Sequence, residues 1–475
     1  MCNTIAPSDQ DNRNTPKTAR IHRAVVLLVL GAVVVGLSLR TYAAEAATEP
    51  KILEAVAIER VWAGHRVGFC LLTHGDHQFA AYYDAERRMT VAGRKLGEKR
   101  WTLAKLDSTL GWDSHNYVTM ALDRAGCLHV CGNMHVVPLV YFRSDRPLDV
   151  NSLRRMPAMT GDAEKRVTYP EFFRTAEGAL LFLYRDGKSG DGRTLVNAYD
   201  EATHTWTRYL DAPLLDGTSR SMNAYPADIR RGPDGFFHLV WMWRETPDCR
   251  SNLHLSYARS RDLKHWETTG GKAAALPITP DNLDVVVDPT PANSGMINVG
   301  FGVGFDPAHR AIIQYHNYDK NGNSQIYLAR WENGAWAIRQ VSHWDYRWSF
   351  EGGGSIPAAL AAGPVQVLSD GRLVQSWSHV KYGSGTWLLD PATLQVMDTI
   401  KRPPRYPAEL SKPKTKLPGI GVRWTSDVTE NPDGDRRYVL RWESLGSNRD
   451  KPRSGPIPEP TMLTLYGLIE AGEKK

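Results

Sequence analysis

Over most of the chain, apolar and polar residues alternate in short runs of roughly four to eight, the period of a strand with one buried face. Gly, Pro, Asp and Asn separate these runs, so the pattern predicts many short strands joined by turns. Outside the leader no stretch keeps a long helical period. A turn followed by an apolar run recurs at Asp123-Arg-Ala-Gly126-Cys-Leu-His-Val, Ala176-Glu-Gly178-Ala-Leu-Leu-Phe, Pro233-Asp-Gly235-Phe-Phe-His-Leu-Val and Ser369-Asp-Gly371-Arg-Leu-Val. The glycine spacings are 52, 57 and 136 residues, the last covering two units if Asp306-Pro-Ala-His-Arg-Ala-Ile-Ile supplies the intervening turn.

Each unit carries a second hairpin, in which an aromatic strand leads through a polar turn, often to a tryptophan. Examples are Leu195–Trp206, His254–Trp266 and Tyr327–Trp336. Two hairpins make a four-stranded blade, and the count reaches seven. The predicted fold is therefore all-β: a seven-bladed β-propeller of four-stranded antiparallel blades, with residues 47–475 as one domain. Such a ring must hide its last edge, and Met462–Tyr466 is predicted to pair with Val56–Val61 to seal it. The Lys-, Arg- and Pro-rich segment Pro403–Pro418 reads as an exposed loop.

Composition adds little that contradicts this. With 42% hydrophobic and 23% charged residues, 15 Trp, 19 Tyr, 40 Gly and 29 Pro, the 475-residue chain is neither disordered nor a multi-span membrane protein. Residues 24–39 form a 16-residue apolar run after Arg20 and Arg23, followed by small residues around Ala44-Glu-Ala46. That layout predicts a secretory signal peptide over residues 1–46, with an uncleaved anchor as the alternative, and a secreted or periplasmic location. Without this leader the chain holds 53 basic and 49 acidic residues, a surplus of four. So small a surplus, with no basic run among aromatics, predicts no nucleic-acid partner and no membrane contact beyond an anchor. Four cysteines, Cys70, Cys127, Cys131 and Cys249, are too few for a disulfide scaffold. Cys127 and Cys131 lack the second pair of a zinc site, which leaves packing or a disulfide elsewhere.

Counting back from the turn glycines locates candidate chemistry. From Gly126, Leu122 pairs with Cys127 and His115 falls opposite Met134, beside His135. From Gly178, Tyr169 falls opposite Tyr184, beside Arg185. Tyr225-Pro226 echoes Tyr169-Pro170 in the next unit, where Arg244 follows Trp241-Met-Trp243. His, Tyr and Arg at one rim can move protons near neutral pH and hold an anion. Asn116 adds an amide, and Trp243, Trp344 and Trp348 are candidates for stacking on sugars.

Other polar residues read as structural. His129 and His238 alternate with apolar neighbours and are expected in hydrogen bonds inside the core. Ser260–Trp266 looks like a hairpin that braces its own turn. The loop Asp281–Asp288 could take Ca²⁺ but more commonly bonds its own backbone. Gly352-Gly-Gly354 predicts a close approach to a ligand or a neighbouring blade. No cofactor is required; structural calcium or zinc is unassigned, and metal ligands are unknown.

The run Trp112-Asp-Ser-His-Asn116, then Asp123-x-x-Gly126-x-Leu-His129-Val and Gly132-Asn-Met-His135-Val-x-Pro-Leu-x-Tyr-Phe-Arg143, resembles the neuraminidase-repeat-like propellers that include ulvan lyases and related polysaccharide lyases. The resemblance extends over most of residues 50–470 and is specific over 112–185. It implies cleavage of an acidic, uronate-containing polysaccharide by β-elimination. On it, His115, His135, Tyr169 and Arg185 match the family's catalytic residues, with His115 as base, Tyr169 exchanging a proton at the leaving oxygen and Arg185 on the developing enolate; those proton roles can also be reversed. Tyr225, Arg244, Asn116 and Trp243 remain substrate-binding candidates. Two other readings stay open: an α-L-rhamnosidase-like hydrolase using Asp113, Glu171 or Glu351, and a carbohydrate-binding propeller without activity.

Overall fold

A computed structural model describes residues 49–429 and 436–469 of the chain. The predicted leader lies outside the described residues. The strands assemble into seven antiparallel sheets, most of them consecutive stretches of chain. The first runs Cys70–His74, His77–Tyr83, Arg88–Lys95, Thr102–Thr109, and the second Val118–Leu122, Leu128–Gly132, Tyr141–Ser144, Leu153–Met156. The third is built on Val167–Arg174 and Leu180–Lys188, the fourth on Asn223–Pro226 and Phe237–Arg244, the fifth on Gly302–Phe305 and Ala311–Tyr318, and the sixth on Leu360–Ala362 and Leu373–His379. The seventh joins the two ends of the chain, in the order Lys51–Val61, Thr461–Ile469, Arg436–Leu445, Ile420–Ser426. This is the all-β propeller class that the repeats predicted.

The turn glycines explain the repeat. Gly126, Gly178, Gly235 and Gly371 all sit at φ between 81° and 85°, a left-handed conformation that costs glycine nothing and other residues strain. In the turn at Asp306, His309 takes that position instead, at φ 62°, which is why the glycine spacing doubles there. The carboxylates of Asp123 and Asp306 accept backbone N–H groups across their turns, from Cys127 at 2.7 Å and from Arg310 at 2.9 Å.

The four-stranded antiparallel blade is found as predicted, with short additions on three of the sheets. Four sheets have four strands, but the third has six, the fourth seven and the sixth five. The additions are pieces of two to three residues, such as His135–Val137 on the third sheet and Val286–Asp288 on the fourth. Connecting segments add onto the ladders, as His135–Val137 does at Val167 and Thr168, and satisfy backbone groups there, an opportunity that side-chain alternation does not encode.

The ring closes as predicted: Val56 faces Leu465, Arg60 faces Met462 and Val61 faces Thr461. A second seam ties the seventh sheet to the first. The Asp427 carboxylate accepts from Thr73 N at 3.1 Å and from the Thr73 hydroxyl, while Thr429 Oγ1 donates to the Thr73 carbonyl at 2.7 Å.

Several local expectations also hold. His129 and His238 are buried, and each bonds a tyrosine hydroxyl, Tyr141 at 2.7 Å and Tyr257 at 2.6 Å. The Ser260–Trp266 hairpin braces itself: Asp262 accepts the N–H groups of Lys264 and His265, each at 2.8 Å, and the Trp266 indole donates to the Leu263 carbonyl. All four described cysteines are free and buried, so packing is their role. Asp281, Asp284 and Asp288 are engaged by Arg220, Lys272 and the Tyr315 hydroxyl, each at 2.5 Å.

Leu465, fully buried on the closing strand, is the direct test of the seal. Leu465→Ala is expected to cost about 2–5 kcal/mol in denaturant unfolding, as other large-to-small core changes do. A loss below about 0.5 kcal/mol would show that closure contributes little to stability.

Candidate active site

A groove of about 800 Å³ opens between the loops that leave the first four sheets and the segments 353–358 and 446–447. His115, His135, Tyr169, Tyr225 and Arg244 line it, with Arg66 and Arg423 also on its wall. None of its lining residues is an aspartate or glutamate.

The two histidines share one carboxylate. Asp113 Oδ1 accepts from the His115 backbone N–H at 2.8 Å and from His115 Nδ1 at 2.7 Å, and Asp113 Oδ2 accepts from His135 Nδ1. The two rings lie 4.4 Å apart between centroids. Holding both Nδ1 atoms inward leaves both Nε2 atoms without a protein partner among the described residues. A second carboxylate, Asp450, places Oδ2 3.3 Å from His115 Nδ1. Asp450 also accepts from Ser114 N at 3.1 Å, from Ser355 N at 2.8 Å and from both serine hydroxyls, at 2.7 and 2.8 Å.

Burial alone would lower the His115 imidazole. Tyr169 and the carboxylates of Asp113 and Asp450 outweigh it and raise His115 to about 11. The counterpart holds for the acids: burial would raise Asp113, but its two imidazole partners keep it well below the usual carboxylate range. His115 is therefore an imidazolium at neutral pH. Asp113, His115 and His135 could also offer ligand atoms to a divalent ion, since these all lie within 4.8 Å of one another. A bound ion keeps its ligand atoms about 3 Å or more apart, so the 2.7 Å contact describes a proton network better.

Tyr169 lies in a bulge. Thr168 pairs with Arg185 and Glu171 with Leu183, so one extra residue is accommodated between them, and Tyr169 takes φ 56°. A left-handed tyrosine is strained; here the bulge turns the phenol out of the ladder towards the histidines. Its ring lies 5.9 Å from His115, 6.4 Å from His135 and 6.3 Å from Tyr225. Arg244 approaches Tyr225 from one side, with Nη1 3.0 Å from the hydroxyl; its Nε donates to Asn252 Oδ1 and its Nη2 to Asn298 Oδ1. The Tyr225 hydroxyl donates to Ser189 Oγ at 2.8 Å. Burial would raise the Tyr225 phenol, yet Arg244 and then Arg185 bring it below its usual range.

Not every predicted residue reaches the groove. His115 and His135 do meet, but not by the predicted register. Leu122 pairs with Leu128, not Cys127; the hairpin ends at Gly132, and His135 crosses to pair with Thr168 of the third sheet. Asn133, left-handed at φ 58°, makes that break, which a uniform count across a hairpin misses. Arg185 is buried behind the rings, its guanidinium carbon 4.9 Å from the Tyr169 centroid and 5.9 Å from that of Tyr225, and does not line the groove. None of its three guanidinium nitrogens has a hydrogen-bond partner among the described residues. The Asn116 side chain faces inward, its Oδ1 buried without a partner among the described residues, while its backbone carbonyl accepts from the Tyr83 hydroxyl at 2.5 Å. Trp243 is 1% exposed and packed in the core on a strand buried on both faces, and Trp344 and Trp348, in the segment between strands, are buried in a second core cluster.

Of the carboxylates considered for hydrolysis, Asp113 is spent on the imidazoles. Glu171 lies off the groove, pushed up to about 8 by burial with Asp228 adding to it, and exposed Glu351 pairs with Arg250 at 3.3 Å. Sequence reasoning missed Asp450, Ser189 and Asn298. Asp113, two residues before His115, carried a readable signal; Asp450, 335 residues after His115, carried none.

Because Asp450 supplies one of the charges that raise His115, Asp450→Asn is expected to lower that pKa towards the ordinary imidazole value. Nitrogen-15 shifts of His115 followed over pH 6 to 12 measure this, and an unchanged titration would remove Asp450 from the network.

Comparison with known proteins fits this geometry. The model of the BNR repeat-containing family matches residues 77–344, more than half of the chain. Among curated proteins, the chain is similar to the long isoform of ulvan lyase from Glaciecola sp. (strain KUL10), 46% identical over 57 residues, and to that from Pseudoalteromonas sp. (strain PLSV), 41% identical over 56. Each match covers 11% of this chain and 6% of the relative, so the chain spans only a small part of these relatives. Among solved structures, polysaccharide lyase Uly1 superposes with a TM-score of 0.60 at 13% identity, covering 89% of this chain and all of that one. An ulvan lyase of the PL25 family, also solved bound to -[GlcA(1-4)Rha3S]-, superposes at 0.54 with 12% identity, covering 88% of this chain and 96% of that one. At such identity these structures establish the propeller fold alone; the family match over residues 77–344 shows that this chain belongs to the BNR repeat-containing family.

Proposed function

We propose that the chain is a secreted or periplasmic polysaccharide lyase that cleaves a uronate-containing, ulvan-like polysaccharide by β-elimination, on a ring in which each of the seven sheets serves as one blade. The observation that carries this reading is the groove wall: arginines, histidines and tyrosines with no carboxylate among them. Such a wall attracts an acidic chain and supplies proton transfer. The resemblance to ulvan lyases over a short region supports the substrate class.

β-Elimination needs a base for the C5 proton, a stabiliser for the enolate that forms on the carboxylate, and a proton for the departing C4 oxygen. His115, already protonated, suits the acid. Tyr169, whose hydroxyl has no protein partner among the described residues, suits the base, with the His115 ring 5.9 Å from its own and the Arg185 guanidinium beneath it. This is the reversed form of the assignment that made His115 the base. Tyr169 takes the C5 proton, the C–H electrons form the C4=C5 double bond as the C4–O bond breaks, and His115 Nε2–H protonates the leaving oxygen. Arg244, on the groove wall, holds the carboxylate as its charge grows. Arg185 acts through the two phenols, and His135 fixes Asp113 and orients the sugar.

The hydrolase alternative requires two carboxylates facing the cleavage point about 5–10 Å apart, and the groove offers none. The binding-module alternative calls for exposed stacking tryptophans, but Trp243, Trp344 and Trp348 are buried.

Incubation with ulvan is expected to generate the ultraviolet absorbance of an unsaturated uronate; new reducing ends without it would indicate hydrolysis. Tyr169→Phe and His115→Ala are each expected to slow the reaction about 10²–10⁴-fold, and full activity in either variant would refute its role. Because His115 is raised to about 11, the protonated acid persists through neutral pH, and the rate should not fall on the alkaline side through the ordinary imidazole range near 6.5. An alkaline loss centred there would mean that the proton sits elsewhere.

A further inference from the structure

We infer that Arg66 and Arg423 form a second anion subsite in the same groove, one that takes a sulfate ester or a neighbouring uronate carboxylate of the bound polysaccharide. The inference rests on the lyase reading of the groove and adds where along it a second charge is held. Arg66 stands in the connection between strands Lys51–Val61 and Cys70–His74, and Arg423 on strand Ile420–Ser426 of the seventh sheet. Both line the groove that holds His115 and Tyr169.

Neither arginine has an acidic partner among the described residues. Arg423 donates from Nε to Ser444 Oγ at 2.9 Å and from Nη2 to the Ser444 carbonyl at 3.0 Å. That grip fixes the plane of the guanidinium and leaves Nη1 without a protein acceptor. Arg441, on the adjoining strand, shows the usual arrangement: Nη2 lies 2.9 Å from Glu443. Burial, with the nearby Arg66 charge adding to it, lowers Arg423 below the usual guanidinium range, as expected for two like charges with no counterion. A fixed fork on the groove wall and a second, solvent-exposed arginine beside it make a seat for a tetrahedral or planar oxyanion.

The two anion positions are therefore separate. Arg244 stands beside Tyr225, while Arg66 and Arg423 belong to the connection and strand on either side of the seam between the first and seventh sheets. A polysaccharide carrying an acidic group on successive residues could engage both, which fixes the register in which a uronate reaches Tyr169.

The test measures binding by calorimetry, separately from cleavage, using the His115→Ala protein. The probes are ulvan tetrasaccharides in four forms: native, desulfated, carboxyl-reduced, and both desulfated and carboxyl-reduced. The comparison proteins carry Arg66→Ala or Arg423→Met in addition, with unfolding midpoints checked. Each arginine change is expected to weaken binding of the native probe about tenfold or more, the scale of one charge-assisted hydrogen bond. If the loss disappears only with desulfated probes, sulfate is the ligand; if only with carboxyl-reduced probes, a uronate is. Arginine variants that bind all four probes as the parent does would overturn the subsite. The lyase reading fails separately, if the unmutated chain yields no unsaturated product while the binding differences persist. Arg66→Ala, on an exposed connection, keeps the test open if Arg423→Met does not fold.

Discussion

Closure of the ring is the constraint on which the site depends. The strand Lys51–Val61 is held between no neighbours of its own in sequence; it finds Thr461–Ile469 more than 400 residues away and completes the seventh sheet. With that pairing fixed, the segment after Arg436–Leu445 must return along the mouth of the ring before Thr461 begins the closing strand. It brings Asp450 against Ser114 and His115. The same closure sets Arg423 on the groove wall and stitches Asp427 to Thr73. An open ring would leave His115 with Asp113 alone.

The site is an arrangement of layers. Carboxylates stand behind imidazoles, and a buried arginine stands behind phenols, while the imidazoles, phenols and other arginines meet the groove. Burial by itself would strip charge from each of these groups. Opposed pairing reverses that tendency for His115 and Asp113, and two guanidiniums reverse it for Tyr225. Carboxylates set off the groove wall and bonded to the imidazoles polarise the rings while leaving the wall itself free of acidic groups.

The strain at Tyr169 belongs to the same design. A strand residue with regular extended backbone would point to one face of the sheet or the other. One extra residue between Thr168 and Glu171 allows a third direction, towards His115 and His135. The neighbouring loops do comparable work by close approach: a side chain at Gly354 would collide with the Arg449 carbonyl at 2.6 Å, so the glycine run lets this backbone pack against the loop carrying Asp450.

Local physics was written plainly in the sequence. Alternation marked the strands, left-handed glycines marked the turns at Gly126, Gly178, Gly235 and Gly371, and the need to hide an edge identified the closing strand. His115, His135, Tyr169 and Tyr225 were also legible as residues of one rim, although the hairpin count that marks them gives His135 the wrong partner, since it crosses to the third sheet. Direction and long-range company were not legible. Whether Trp243 faced the core or a sugar, whether Arg185 lined the groove or lay beneath it, and which carboxylate joined His115 all depended on bulges, left-handed breaks such as Asn133, and contacts across hundreds of residues. A side-chain pattern states which residues can be buried. Only the folded ring decides which of them share a wall.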